Sequence, residues 1–169
     1  VLKYIKKPDP LLQRIWYIVG DEGLSISEIA TKLGYDKDKV ENAINRGIGK
    51  DILTAEKQGN KKIIKRKNDY FDDEAIKASA PSADGQRKMR KVLEFYMGKG
   101  YYTDLVIQGG ESRPDAVAIP VDTVTWKPKY SQAIAIEVES ANEVKVHMEQ
   151  VVRNWIKPST NDFAEIHTW

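Results

Sequence analysis

The chain has 169 residues, 27 basic against 25 acidic side chains for a net charge of +2, 41% hydrophobic residues and no cysteine. That length can bury the core of one large domain or two small ones, and the lack of cysteine excludes disulfides, cysteine-based zinc sites and thiol nucleophiles. No apolar run approaches the roughly 20 residues of a membrane span and the start is not that of a signal peptide, so an intracellular protein away from membranes is expected.

Residues 10–19 carry Leu11, Leu12, Ile15, Trp16, Ile18 and Val19, the broad apolar stripe of a packed helix, with Asp9 as N-cap and Pro10 at the first helical position. Ser25 or Ser27 caps a second helix through Ile29, Ala30 and Leu33, stopped by Gly34. A third helix starts near Asp36 or Asp38, with Val40, Ala43 and Ile44 inward. Residues 52–55 and 61–67 flank a Gly59-Asn60 turn, which predicts a hairpin with a basic second strand. Residues 69–83, acidic and then rich in Ala, Ser and Pro, read as a linker with a short helical piece near Phe71 and Ile76.

A further helix is expected over 86–98, with Met89, Val92, Leu93, Tyr96 and Met97 on one side. A strand over 101–108 and a tight connection lead to an antiparallel strand, Arg113-Pro114-Asp115-Ala116-Val117-Ala118-Ile119. Residues 121–130 form a longer loop or ribbon. The next strand, 133–140, alternates: Ile134, Ile136 and Val138 share one face, and Ala133, Ala135, Glu137 and Glu139 share the other. Glu137 and Glu139 then stand about 7 Å apart by strand rise. Like charges held on an apolar strand raise each other's pKa unless a cation or donors compensate, and a divalent metal is the economical compensation. A helix over 141–157, with Val144, Met148, Val151, Val152 and Trp155 as its stripe, precedes a last strand over 163–169. That strand runs off the end of a chain that begins at Val1, which points to a piece of a longer protein.

Pro114-Asp115 followed by Glu137-Val138-Glu139 resembles the motif of the PD-(D/E)xK nuclease superfamily, with Glu139 in the place of the usual lysine. Some restriction enzymes of that family carry Glu-x-Glu there. The resemblance covers residues 84–169 and implies a restriction-endonuclease-like αβββαβ core that is truncated at its C-terminus. It implies Mg²⁺ or Mn²⁺ held by Asp115, Glu137 and the Val138 carbonyl. Glu139 would act as orienter or general base, Lys145 would return a positive charge, Glu94 would be an additional acidic residue, and Gln150 would lie near the DNA backbone. The bland readings of Glu94 and Gln150 are solvated surface residues.

Residues 24–35, three short helices and the hairpin resemble a winged helix-turn-helix over residues 1–68, so the fold class is α/β: an α+β winged helix plus the nuclease-like core. On that resemblance Lys37, Lys39, Asn42, Asn45 and Arg46 face the major groove, and Lys61, Lys62, Lys65 and Arg66 reach phosphates. Asp36, Asp38 and Glu41 on the same helix would repel DNA. The expected function is a metal-dependent DNA endonuclease positioned on its substrate by the winged helix, with DNA as partner and a homodimer as one arrangement. Two alternatives stay open: an inactive nuclease-like binding or assembly module, and a winged-helix transcriptional regulator. The two histidines, His147 and His167, suggest no site of their own.

Overall fold

The computed structural model describes residues 5, 7–107, 113–138 and 165–168. The chain is of mixed α and β structure and divides into two compact units: Asp9–Tyr70 with Asp122–Lys127, and Val1–Pro8, Phe71–Val121 and Pro128–Trp169. Among the described residues no helix is long and apolar enough to cross a membrane.

The first, helical unit contains α1 (Pro10–Val19), β1 (Leu24–Ser25), α2 (Ile26–Leu33), α3 (Lys37–Gly49), β2 (Leu53–Gln58) and β3 (Lys61–Arg66). Each helix start is closed by a side chain. Asp9 accepts the Leu12 N–H at 3.2 Å and Asp36 the Lys39 N–H at 3.0 Å. Of the two serines before α2, Ser25 is the cap. Its Oγ accepts from Glu28 N–H at 3.2 Å while the Glu28 carboxylate accepts from Ser25 N–H at 2.7 Å, a reciprocal capping box. Those bonds from Ser25 hold the Glu28 carboxyl below its ordinary pKa. The two-residue Gly59-Asn60 turn sets Gln58 opposite Lys61, and from there the register runs to Leu53 opposite Arg66. Sheet order is β1-β3-β2, all antiparallel. Leu12, Ile15, Ile29, Ile44, Leu53 and Ile64 are fully buried and form the core.

The second, sheet unit contains α4 (Asp73–Ser79), α5 (Ala83–Gly98), β4 (Tyr102–Leu105), β5 (Ala116–Ile119), a 3₁₀ turn (Tyr130–Gln132), β6 (Ile134–Glu137) and β7 (Glu165–Thr168). The stretch expected as a linker is therefore largely structured. Asp72 caps α4, Ile76 is 1% exposed, and Arg90 of α5 pairs with Asp73. Strand order is β4-β5-β6-β7, antiparallel except for the parallel pair β6–β7. Both faces of this sheet are buried. One face gathers Tyr102, Val106, Val117, Ile119, Ala133 and Ala135 around Ile5. The other carries Thr103, Leu105, Ala116, Ala118, Ile134 and Ile136, all buried, and α5 brings Met89, Val92, Leu93, Tyr96 and Met97 into the core. The helix expected over 141–157 lies outside the described residues.

Candidate functional site

The sheet of the second unit positions the carboxylates. Val117 pairs with Ala135 and Ala116 with Ile136, where the register ends; Asp115 precedes Ala116, with its N–H also bonded to Ile136 O, and Glu137 follows Ile136. By alternation Glu137 points to the face that carries Ala135. Pro114, buried and without an N–H, cannot extend the ladder, which therefore opens at Asp115.

The backbone around Asp115 is stitched to three neighbours. Its N–H donates to Ile136 O at 3.0 Å, and its carbonyl accepts from Val106 N–H at 3.0 Å and from the Ser79 hydroxyl at 3.0 Å. Its carboxylate Oδ2 accepts the Val138 N–H at 2.8 Å, fixing the acid against the residue that follows Glu137. Asp115 is thus brought to Val138, the residue after Glu137, and all three are partly exposed at the end of buried strands.

Carboxylates held close together repel unless hydrogen-bond donors or a cation offset the charge. The Val138 N–H is one such donor. The atoms gathered here that could ligate a metal are all oxygens, which suits hard divalent cations such as Mg²⁺ or Mn²⁺. Among the described residues no three of His, Asp and Glu converge as a metal-holding group. Glu94 is exposed on α5. Glu139, Lys145 and Gln150 lie outside the described residues.

Asp104 was not among the expected site residues. It sits in β4, opposite Val117, and shares its sheet face with Val117, Ala135 and Glu137. Its carboxylate accepts from the Tyr102 hydroxyl at 3.1 Å and from Leu105 N–H at 2.9 Å, and burial pushes its pKa up. The signal in the sequence was one acid inside the otherwise uncharged run Tyr101-Tyr102-Thr103-Asp104-Leu105-Val106-Ile107.

In the helical unit, Lys37, Lys39, Asn42, Asn45 and Arg46 are all exposed on α3. Arg46 is nevertheless engaged: its Nε donates to Asp9 Oδ2 at 2.7 Å and its Nη2 to Asp9 Oδ1 at 3.1 Å. That bond is the main reason its pKa is raised. On the hairpin Lys61 and Lys62 are exposed, whereas Lys65 pairs with Glu56 at 2.9 Å.

Arg66 departs furthest from expectation. Its Nε and Nη2 donate to the carbonyls of Trp16 and Tyr17, both at 2.8 Å, and its guanidinium stacks 4.0 Å from the Trp16 ring centroid. It closes the C-terminal end of α1, where a cation meets unpaired carbonyls, instead of turning outward to phosphates.

No protein-family model, no curated protein and no solved structure matches the chain.

Proposed function

We propose that the chain is a metal-dependent deoxyribonuclease of the PD-(D/E)xK type, hydrolysing DNA phosphodiester bonds, with a winged helix-turn-helix as the unit that engages the duplex. The observation that supports it is the Val138 amide bonded to the Asp115 carboxylate at 2.8 Å, which sets that acid beside the residue following Glu137. Asp115 and Glu137 would hold Mg²⁺ or Mn²⁺, with the Val138 carbonyl as a third oxygen. When bound, such an ion acidifies a water and neutralises charge on a phosphate. The work of the chain itself is positional. Val138 N–H orients Asp115, and the buried Ala116–Ile119 and Ile134–Ile136 runs keep the floor of the site dry. On the family resemblance Glu139 orients the attacking water or takes its proton, a contribution of about 10²–10⁴-fold when a base reaches it.

The test is supercoiled-plasmid cleavage with Mg²⁺ for wild type and Glu137→Gln, alongside Mn²⁺ binding by calorimetry. Wild type should nick DNA; Glu137→Gln should lose cleavage and bind the ion more weakly, because an amide is a poorer ligand than a carboxylate. Glu139→Lys, which installs the residue usual in the family, should keep or raise cleavage.

A second reading has its own support: a carboxylate already occupied by a backbone amide has a structural task that needs no ion. On that reading the sheet unit is an inactive binding or assembly module. It takes precedence if wild type neither cuts DNA nor binds Mn²⁺ at millimolar concentration while Glu137→Gln stabilises the fold by relieving charge repulsion.

A further inference from the structure

Arginine is the side chain that most often reads guanine, through a two-pronged bond to O6 and N7, and asparagine matches the N6 and N7 of adenine in the same way. The exposed face of α3 holds both kinds. Asn42, Asn45 and Arg46 fall three and four residues apart, so they form one contiguous patch. Their situations differ. The amides of Asn42 and Asn45 make no hydrogen bond within the described residues. Arg46 gives two of its donors to Asp9.

Asp9 is the more covered partner, with 16% of its side chain exposed against 47% for Arg46, and it also caps α1. Withdrawing the arginine would leave a largely covered carboxylate without its cation beside an arriving phosphate, and two-pronged arginine pairs are the surface ion pairs with the best geometry. We propose that Asp9 is a specificity-determining residue of this face: it withholds Arg46 from guanine and leaves Asn42 and Asn45, which suit adenine, as the groups that read bases. This rests on the reading that α3 engages duplex DNA, and not on whether the carboxylate site cuts it.

The experiment measures binding in EDTA, so that cleavage plays no part, by selection from a randomised duplex pool and by titration over a range of salt. The informative variant is Asp9→Asn, because asparagine caps a helix as well as aspartate while losing the charge that holds Arg46. Wild type should select adenine, and Asn42→Ala with Asn45→Ala should flatten that preference. Asp9→Asn should gain selection for guanine by about 5- to 150-fold, the discrimination expected of one two-pronged pair. The gain should vanish in Asp9→Asn with Arg46→Ala.

Three results would overturn the proposal: no duplex binding by folded wild type, guanine selection already present in wild type, or an Asp9→Asn protein with unchanged melting temperature and unchanged base preference. The first would remove α3 from DNA contact without touching the carboxylate site, which cleavage and ion binding judge separately.

Discussion

Replacing Gly23 by alanine isolates a steric requirement that the helical unit places on one residue. Gly23 adopts φ +84°, and a Cβ there would lie 2.6 Å from Lys65 Cγ, 2.7 Å from Ile63 Cγ2 and 2.8 Å from the carbonyl oxygen of Ile64. The side chains can turn away. The carbonyl cannot, because β3 is the central strand, pairing with β1 on one side and β2 on the other.

Gly34 is the internal control. It ends α2 at φ +57°, and a methyl group added there would meet nothing within 4 Å. Both substitutions carry the left-handed backbone penalty of about 1–2 kcal/mol and the same small gain from a stiffer unfolded chain. Only Gly23→Ala adds the cost of overpacking, about 1–3 kcal/mol. The expected difference between the two variants is therefore about 1–3 kcal/mol, read from urea midpoints at unchanged slope and from amide exchange of β3. Equal losses at the two positions would refute the claim that β3 leaves no room at Gly23.

Three further outcomes follow from side-chain contacts. Asp104→Asn should stabilise the protein at neutral pH: burial raises the folded carboxyl above its unfolded pKa, so wild-type stability falls as pH rises from the unfolded value through the folded one, and the advantage of asparagine should disappear in acid, as pH-dependent thermal melts would show. Asp115→Ala should cost about 1–3 kcal/mol by orphaning the Val138 N–H and should speed exchange of that amide, while Asp115→Asn, which keeps an acceptor, should cost less. Arg66→Lys should lose about 1.5–3 kcal/mol in chemical unfolding, because an ammonium cannot reach both the Trp16 and Tyr17 carbonyls while lying flat over the Trp16 ring.

The parts of the fold that could be read from the sequence are those written in local chemistry. Asp9-Pro10 and Gly34 mark helix ends through backbone requirements that act within a turn, and Gly59-Asn60 fixes a hairpin register by itself. β1 escaped because Leu24–Ser25 is too short to show a period, and its existence depends on Ile63 and Ile64, far along the chain. α4 was expected only as a short helical piece of a linker, because its surroundings are rich in Ala and Ser and the burial of Ile76 is decided by tertiary packing.

At the site, period-two alternation and the Pro-Asp pair marked the two adjacent strands that Asp115 precedes and Glu137 ends. The fate of cations was not legible, since a lone Arg looks the same whether it meets solvent or, like Arg66, the carbonyls of a helix about fifty residues earlier. Asp104 was overlooked for a related reason: acids in strands are read as solvent-facing, and here both sheet faces are covered.

Among the described residues β4 has a partner on one side only, since it ends the strand order. Val106 N–H points inward to Asp115, so by alternation the amide of Leu105 points outward, where it could recruit a strand from another molecule. Asp104 occupies that amide with its own carboxylate at 2.9 Å. A charged group folded back onto an open edge is one of the devices by which sheet proteins avoid edge-to-edge aggregation. The stability that Asp104 costs at neutral pH is thus offset by solubility: Asp104→Ala, unlike Asp104→Asn, should leave the folded protein prone to self-association through β4, visible as concentration-dependent light scattering.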